Sequence, residues 1–353
     1  MINSVHFIFL IFLGMLSLVL VLIIVVIIYS FYQYKVSVRL SGWSEIINKT
    51  ITKVIVYEED EVSPDRDFII ANGNPSFRNL FLQKLVDSEK KFSGVAQNKI
   101  KYLFEQYNLQ EDALKKLNQK KLYLTAGGIQ ELTAMNAEGS LPEISRFLAH
   151  PSPQVYQEAQ YALVNFKGFE GLHYLNTIPT VISEWQQLRL LRSINHIPEN
   201  SEGIIKGWLE SSNNSVVIFT LKLLRKFQVL TVYSIVTQLL AHPSTEVRVQ
   251  TIQTLLSLEN PSTITCFTDV YPDQPIEVQL EILKAIKTSG DKRSTDFLKK
   301  QLLDNTETGI KVCAAQALFS LEEKQYLAQM AENESSSEEL IKIIKYALQE
   351  KIC

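Results

Sequence analysis

From Phe7 to Tyr29 the chain is an almost unbroken apolar run, and no Asp, Glu, Lys or Arg precedes Lys35. As a helix, those 23 residues reach about 34 Å at about 1.5 Å each, enough to cross a hydrocarbon core about 30 Å thick. Only Gly14 and Ser17 interrupt the run, and both residue types are tolerated in membrane helices. Tyr29, Phe31, Tyr32 and Tyr34 gather at its far end, where an aromatic belt would sit. A cleaved signal peptide would need a positive start, a shorter apolar stretch and a small-residue cleavage site, none of which is present. Residues 1–34 are therefore expected to form a single transmembrane helix, and residues 35–75 a juxtamembrane segment and linker. Within that segment Ser44–Tyr57 reads as a helix, and Glu58-Glu59-Asp60-Glu61 through Asn74-Pro75 as a polar connector.

Beyond residue 75 the apolar pattern becomes periodic. Leu148-Ala149-His150-Pro151-Ser152, followed by Val155, Ala159, Ala162 and Leu163, nearly superposes on Leu240-Ala241-His242-Pro243-Ser244, followed by Val247, Thr251, Thr254 and Leu255. The two lie 92 residues apart, close to three periods of 31. The intermediate copies are found by stepping from Leu163 to Ile194, Leu224, Leu255, Ile286 and Leu318, with steps of 31, 30, 31, 31 and 32. The preceding position is mostly small (Ala162, Ser193, Leu223, Thr254, Ala285, Ala317), which would let two helices approach closely. A degenerate copy surrounds Leu132. Each period splits into two helices at a His-Pro, Ser-Asn or Asp-Asn turn, because Pro cannot continue the first and Ser, Asp or Asn can cap the second. First helices are expected at Leu141–Ala149, Gly203–Glu210, Tyr233–Ala241 and Arg293–Asp304. A pair of about 31 residues cannot bury its apolar faces alone, so neighbours must stack. Phe77–Val86 and Ile100–Tyr107 are expected to cap the array at one end, and an amphipathic helix over 339–351 to close it at the other.

The motif His-Pro-Ser-x-x-Val, with Ala or Thr one turn on and Ala-Leu or Thr-Leu after that, resembles the short bacterial HEAT-like repeat. The resemblance covers about Leu109 to Leu321. Val247-Arg248 keeps the Arg that often follows the anchor Val in that family, whereas Val155-Tyr156 does not, and Trp185-Gln186-Gln187 and Ser215-Val216 depart further. What the resemblance implies is an all-α chain: a right-handed α-solenoid of HEAT-like hairpins over 76–353, used for protein binding and carrying no chemistry of its own. Some HEAT-like proteins act on DNA bases and others on bilins. Some anchored bacterial ones stand beside polysaccharide-synthesising glycosyltransferases.

On the second helices a polar row recurs: Arg189 and Arg192, Lys222 and Arg225, Gln250 and Gln253, Lys284 and Lys287. Few acidic residues accompany it, Glu281 being one neighbour. Second helices usually line the concave side of such arrays, so the row is expected to bind an acidic partner segment or an anionic ligand, against the plainer reading of a solvated helix face. His150 and His242 occupy equivalent turns roughly 30 Å apart, at about 8–10 Å per packed helix, and cannot share a metal. Cys266, Cys313 and Cys353 make neither a disulfide framework nor a zinc site, and Cys313 reads as a buried, inert thiol. Gly127-Gly128 lies within a helix and starts no phosphate loop. No catalytic, metal or nucleotide motif is present, so no cofactor is expected and a non-enzymatic role is favoured.

Charge and composition narrow the classes further. With 35 basic and 38 acidic residues the net charge is −3, which gives no pull toward nucleic acid. Lys35, Arg39, Lys49 and Lys53 follow the apolar run. The positive-inside rule then places the N-terminus outside and the repeats in the cytoplasm, despite Asn-x-Ser/Thr sequons at Asn48, Asn213 and Asn333. The Ile-, Lys- and Asn-rich usage hints at a bacterial source, hence an inner membrane. The chain thus reads as a single-pass membrane scaffold recruiting a protein partner, for instance a subunit of a membrane assembly such as a polysaccharide-synthesis glycosyltransferase complex. The rival readings are an enzyme or small-ligand sensor with its site in the concave groove, and the same scaffold in inverted topology.

Overall fold

The computed structural model describes residues 2–56, 65–333 and 336–349, with the side chains of 2–6, 8 and 349 left aside. The described residues form nineteen α-helices, a few 3-10 turns and no strand, as the 3.6-residue periodicity requires. They divide into two compact units, residues 1–166 and 167–353. The acidic run from Glu58, residues Glu334 and Ser335 of the third sequon, Cys353, and the closing helix beyond residue 349 lie outside the described residues.

The first unit begins with α1 (Ile2–Val56), a single unbroken helix of 55 residues. Its N-terminal half is apolar and uncovered: the most apolar 18-residue window has a mean hydropathy of 3.4 and none of it is buried, so it is long and apolar enough to cross a membrane. Its last turns differ. Trp43, Ile46, Ile47, Thr50, Ile51 and Val54 recur at three- and four-residue spacing and turn into the core, the stripe that packs a helix against neighbours. The neighbours are α2 (Arg66–Asn72), α3 (Pro75–Glu89) and α4 (Val95–Gln106). An aromatic cluster joins them: Phe77 meets Trp43 at 5.8 Å and Phe68 at 5.3 Å, while Phe81 meets Phe68 at 5.2 Å and Tyr107 at 5.6 Å between ring centroids. Trp43, Ile46, Ile47, Ile51 and Val54 of α1, with Phe68 and Ala71 of α2, therefore belong to this unit's core, so the expected linker supplies packed residues at these positions while Ile69 and Ile70 stay exposed.

Two polar ties hold the same elements. Asp65 receives Lys49 and Lys53, each at 2.8 Å, and hydrogen bonds from these two ammonium groups hold its carboxyl down at about 2. Arg78 on α3 donates through Nε to Asp112 Oδ2 at 2.8 Å and through Nη2 to the carbonyls of Tyr107 at 2.9 Å and Asn108 at 3.2 Å. Asp112 belongs to α5 (Gln110–Leu117), which crosses α6 (Leu122–Ala134) at Gly128. An added Cβ there would lie 2.8 Å from the Ala113 carbonyl oxygen and 2.9 Å from Lys116 Cβ. Beside that crossing Lys116 reaches Glu131 at 2.6 Å, and burial nevertheless pushes the Glu131 carboxyl up. A short α7 (Leu141–Ser145) and α8 (Pro153–Lys167) end the unit. The first helix expected to run to Ala149 stops at Ser145, because Phe147, Leu148 and His150 close tighter three-residue turns.

The second unit opens with a 3-10 stretch, Gly168–Asn176, in place of an α-helix. Then come α9 (Glu184–Ser193), α10 (Glu202–Leu209), α11 (Asn214–Phe227), α12 (Tyr233–Gln238), α13 (Thr245–Ser257), α14 (Thr263–Val270), α15 (Ile276–Ser289), α16 (Thr295–Asp304), α17 (Thr308–Ser320), α18 (Lys324–Glu332) and α19 (Glu338–Gln349). From α10 onward each even-numbered helix forms a hairpin with the odd-numbered one after it, and α9, α11, α13, α15, α17 and α19 pack in sequence. Ile194, Leu224, Leu255, Ile286 and Leu318 are all fully buried, so the 31-residue period marks one equivalent core position in this unit. Leu163, on α8 in the first unit, is half-buried, while its neighbour Val164 is fully buried. The small position works as close packing demands: the hydroxyl of Thr254 on α13 donates to Leu221 O on α11 at 3.2 Å as well as to its own Gln250 O at 2.8 Å.

The repeated His-Pro-Ser turn has one chemistry in both copies. His150 Nδ1 accepts the Ser152 N–H at 3.1 Å, and His242 Nδ1 accepts the Ser244 N–H at 3.0 Å. The imidazole thus does what an Asx side chain does in a turn. Burial and the nearby Arg248 push the His242 imidazole below its ordinary value. Arg248 Nε also donates to the His242 carbonyl. Replacing His242 by alanine is expected to lower stability by about 1 kcal/mol, the usual net worth of one such hydrogen bond, whereas His242→Asn keeps most of it. Thermal unfolding of the two variants checks the difference.

Candidate functional site

The residues expected to form one basic row all lie in the second unit, on the helices α9, α11, α13 and α15. Their starts are shaped by local hydrogen bonds. Ser183 caps α9 by accepting the Gln186 N–H at 3.3 Å. Asn213 caps α11 by accepting from Ser215 N at 3.1 Å and Ser215 Oγ at 2.7 Å. The Asn213 amide nitrogen donates to Ile178 O at 3.3 Å and Thr180 O at 2.9 Å, and Ser215 Oγ accepts the Ile182 N–H at 2.9 Å. The 177–183 segment is thereby tied to the head of α11. The sequon asparagine Asn213 is engaged through both its oxygen and its nitrogen in this cap.

Between this segment and the helices lies an open hollow of about 950 Å³. Lys222, Gln250 and Gln253 of the expected row line it, together with Gln187, Ile218 and Val249. Lys222 is half-buried and donates to Gln187 Oε1 at 2.8 Å, and Gln187 Nε2 donates to Ile182 O at 3.0 Å. Gln253 donates to Glu281 Oε1 at 2.8 Å. Gln250 is 8% exposed and its amide nitrogen finds no hydrogen-bond partner among the described residues. Arg225 lines a second hollow of about 670 Å³, which Gln253 shares with Leu256, Asp291 and Arg293. Arg189, Arg192, Lys284 and Lys287 line neither. Lys284 is exposed and lies 3.4 Å from Glu281, and Lys287 donates to Gln316 at 3.4 Å.

The row is therefore less uniformly basic than expected. Glu184, Glu246 and Glu277, in the first turns of α9, α13 and α15, line the larger hollow. Arg192, Arg225 and Lys287 stand in the last turns of α9, α11 and α15. The reason is the helix dipole, which favours carboxylates at N-termini and cations at C-termini. Side-by-side helices running the same way place those ends along common edges. Between the two edges runs an apolar stripe of equivalent residues, Leu188, Ile218, Val249 and Leu280, exposed or half-buried. A reading confined to the later turns of each helix could not register the first-turn carboxylates, although the 31-residue period itself aligns Glu246 with Glu277.

The remaining candidates are structural. Cys266 and Cys313 form no disulfide and are partly covered, and burial pushes the Cys266 thiol up, away from the thiolate that nucleophilic or metal chemistry needs. Among the described residues no three His, Cys, Asp or Glu side chains converge as a metal site.

No family model and no curated protein matches this chain. Solved structures do. The YibA protein of E. coli matches at 16% identity, covering 76% of this chain and 96% of its own, with a TM-score of 0.41. Human deoxyhypusine hydroxylase in complex with glycerol matches at 13% identity over 80% and 98%, with a TM-score of 0.32. The complex of CpcE and CpcF of phycocyanin lyase from a Nostoc species matches at 12% identity over 82% and 97%, with a TM-score of 0.26. What stands on this chain's own geometry is an all-helical protein of repeated helical hairpins.

Proposed function

We propose that this protein is a non-catalytic, single-pass membrane scaffold whose HEAT-like hairpins, wound as a right-handed α-solenoid, hold a protein partner beside the bilayer. The observation that carries the reading is α1, whose first half is apolar and uncovered while its last turns are buried in a folded unit. Such a helix has no use for its apolar half in water, and the apolar run is longer than the stretch a cleaved leader carries. The basic residues after the span, Lys35 and Arg39, favour a cytoplasmic array with the N-terminus outside. A subunit of a membrane assembly, such as a polysaccharide-synthesis glycosyltransferase complex, is the specific partner class this placement suits.

The partner segment is matched by the face of α9, α11, α13 and α15. Apolar side chains would settle on the Leu188–Leu280 stripe, with acidic groups toward Arg192, Arg225 and Lys284 and basic groups toward Glu246 and Glu277. The rival reading, a small-ligand site in the same hollow, has the unpartnered Gln250 amide in its favour.

Two measurements test the proposal. The native chain is expected to remain in the membrane pellet after alkaline carbonate washing and to leave it when residues 2–34 are removed. Release of the native chain by carbonate would refute anchoring. A partner recovered from detergent-solubilised membranes is expected to be lost with the triple charge reversal Arg192→Glu, Arg225→Glu and Lys284→Glu while the unfolding temperature stays nearly constant. Unchanged capture would remove the face from the mechanism.

A further inference from the structure

We infer that α1 is a rigid standoff: it carries the span into the first unit without a joint, and so sets that unit's height and rotational position over the bilayer. The inference rests on reading the first half of α1 as a membrane span. Between Lys35, the first charged residue, and Trp43, the first side chain packed on α3, lie only seven residues. At about 1.5 Å per residue the folded unit begins about 12 Å beyond Lys35, and the fully buried Ile47 lies about 18 Å beyond it.

Those seven residues are helical throughout although Val36, Ser37, Val38, Ser41 and Gly42 are indifferent or poor helix formers. Helix is costly to start and cheap to extend, and here both ends are already fixed. On one side the backbone cannot unwind inside a hydrocarbon layer, where its N–H and C=O groups would find no water. On the other, Trp43, Ile46, Ile47, Ile51 and Val54 are held by the core, and Lys49 and Lys53 are held by Asp65. The two fixed ends impose one helical phase on the segment between them. A turn of helix advances about 100° per residue, so the face the first unit turns toward its surroundings is decided by the exact number of residues in the standoff. Ser41-Gly42 is its weakest step, since such pairs are where helices kink. An added Cβ at Gly42 would meet nothing within 4 Å, so alanine fits there.

The test measures spin-label distances between Gln33→Cys, at the span's end, and Gln83→Cys, on the exposed side of α3. The full chain carries Ser at Cys266, Cys313 and Cys353 and sits in nanodiscs of phosphatidylcholine and phosphatidylglycerol. A single narrow distance is expected for the parent and for Gly42→Ala, with at least a twofold broader distribution for Gly42→Pro. Insertion of one alanine after Val38 is expected to move the peak without broadening it. A parent distribution as broad as that of Gly42→Pro, or an insertion that leaves the peak in place, overturns the standoff. Flotation of the parent with lipid separates the two levels: a chain that floats but gives a broad distribution sinks the standoff alone. A chain that does not float sinks the membrane reading and the standoff with it.

Discussion

Alanine at Gly128 is expected to destabilise the first unit, and alanine at the adjacent Gly127 to stabilise it. Both glycines are inside α6, where each costs about 1 kcal/mol relative to alanine through backbone freedom. At Gly127 a Cβ meets nothing within 4 Å, so the whole gain of up to about 1 kcal/mol is realised. At Gly128 the same Cβ would lie 2.8 Å from the Ala113 carbonyl oxygen and 3.2 Å from Leu117 Cδ2. The carbonyl is backbone of α5 and cannot swing aside, so the two helices must part. Overpacking of a tight contact costs about 1–3 kcal/mol, and here the upper end applies because the obstruction is main chain. After the helical gain is subtracted, Gly128→Ala should lose about 2 kcal/mol, leaving the two variants about 3 kcal/mol apart. Urea unfolding of both measures this directly, and equal midpoints would mean that α5 and α6 do not cross at Gly128.

Arg78→Ala is expected to cost about 2–3 kcal/mol. One guanidinium serves Asp112 and the carbonyls of Tyr107 and Asn108, joining α3 to the α4–α5 turn. Arg78 and Asp112 keep only 21% and 17% of their side-chain surface in contact with solvent. Removing the cation leaves a carboxylate and two carbonyls without their donor in a partly dry place, and stranded groups of this kind are what make such losses large. Arg78→Lys should recover only part, because an ammonium cannot match the planar fork that meets several acceptors at once. Double replacement with Asp112→Asn should cost less than the two single changes added together. Additive losses in the three unfolding curves would show that the pair is not coupled.

The repeat and the candidate face were legible to different degrees. The recurrence of Ile194, Leu224, Leu255, Ile286 and Leu318 could be read directly, because burial of one helical stripe is a local demand met again in every hairpin. The polar members of the face were visible as residues but not as a site. Lys222 is claimed by Gln187 from another helix, Gln253 by Glu281, and the hollow's carboxylates come from first turns brought into line only when the helices lie side by side. Equally, Glu58 through Pro75 read as a polar connector, since four acidic residues and an Asn-Gly pair dominate the local impression. Folding instead gathers Trp43, Phe68 and Phe77 from three separated stretches into one aromatic cluster.

The sequence by itself therefore determined what depends on near neighbours: an uncovered apolar helix, an all-helical chain, a 31-residue period and the turns that punctuate it. Tertiary structure alone decided which of two adjacent glycines is indispensable, which cations remain available, and where the folded unit begins relative to the apolar run. Helical periodicity states which side of a helix must be covered, but the identity of the covering group is settled only by the register between helices.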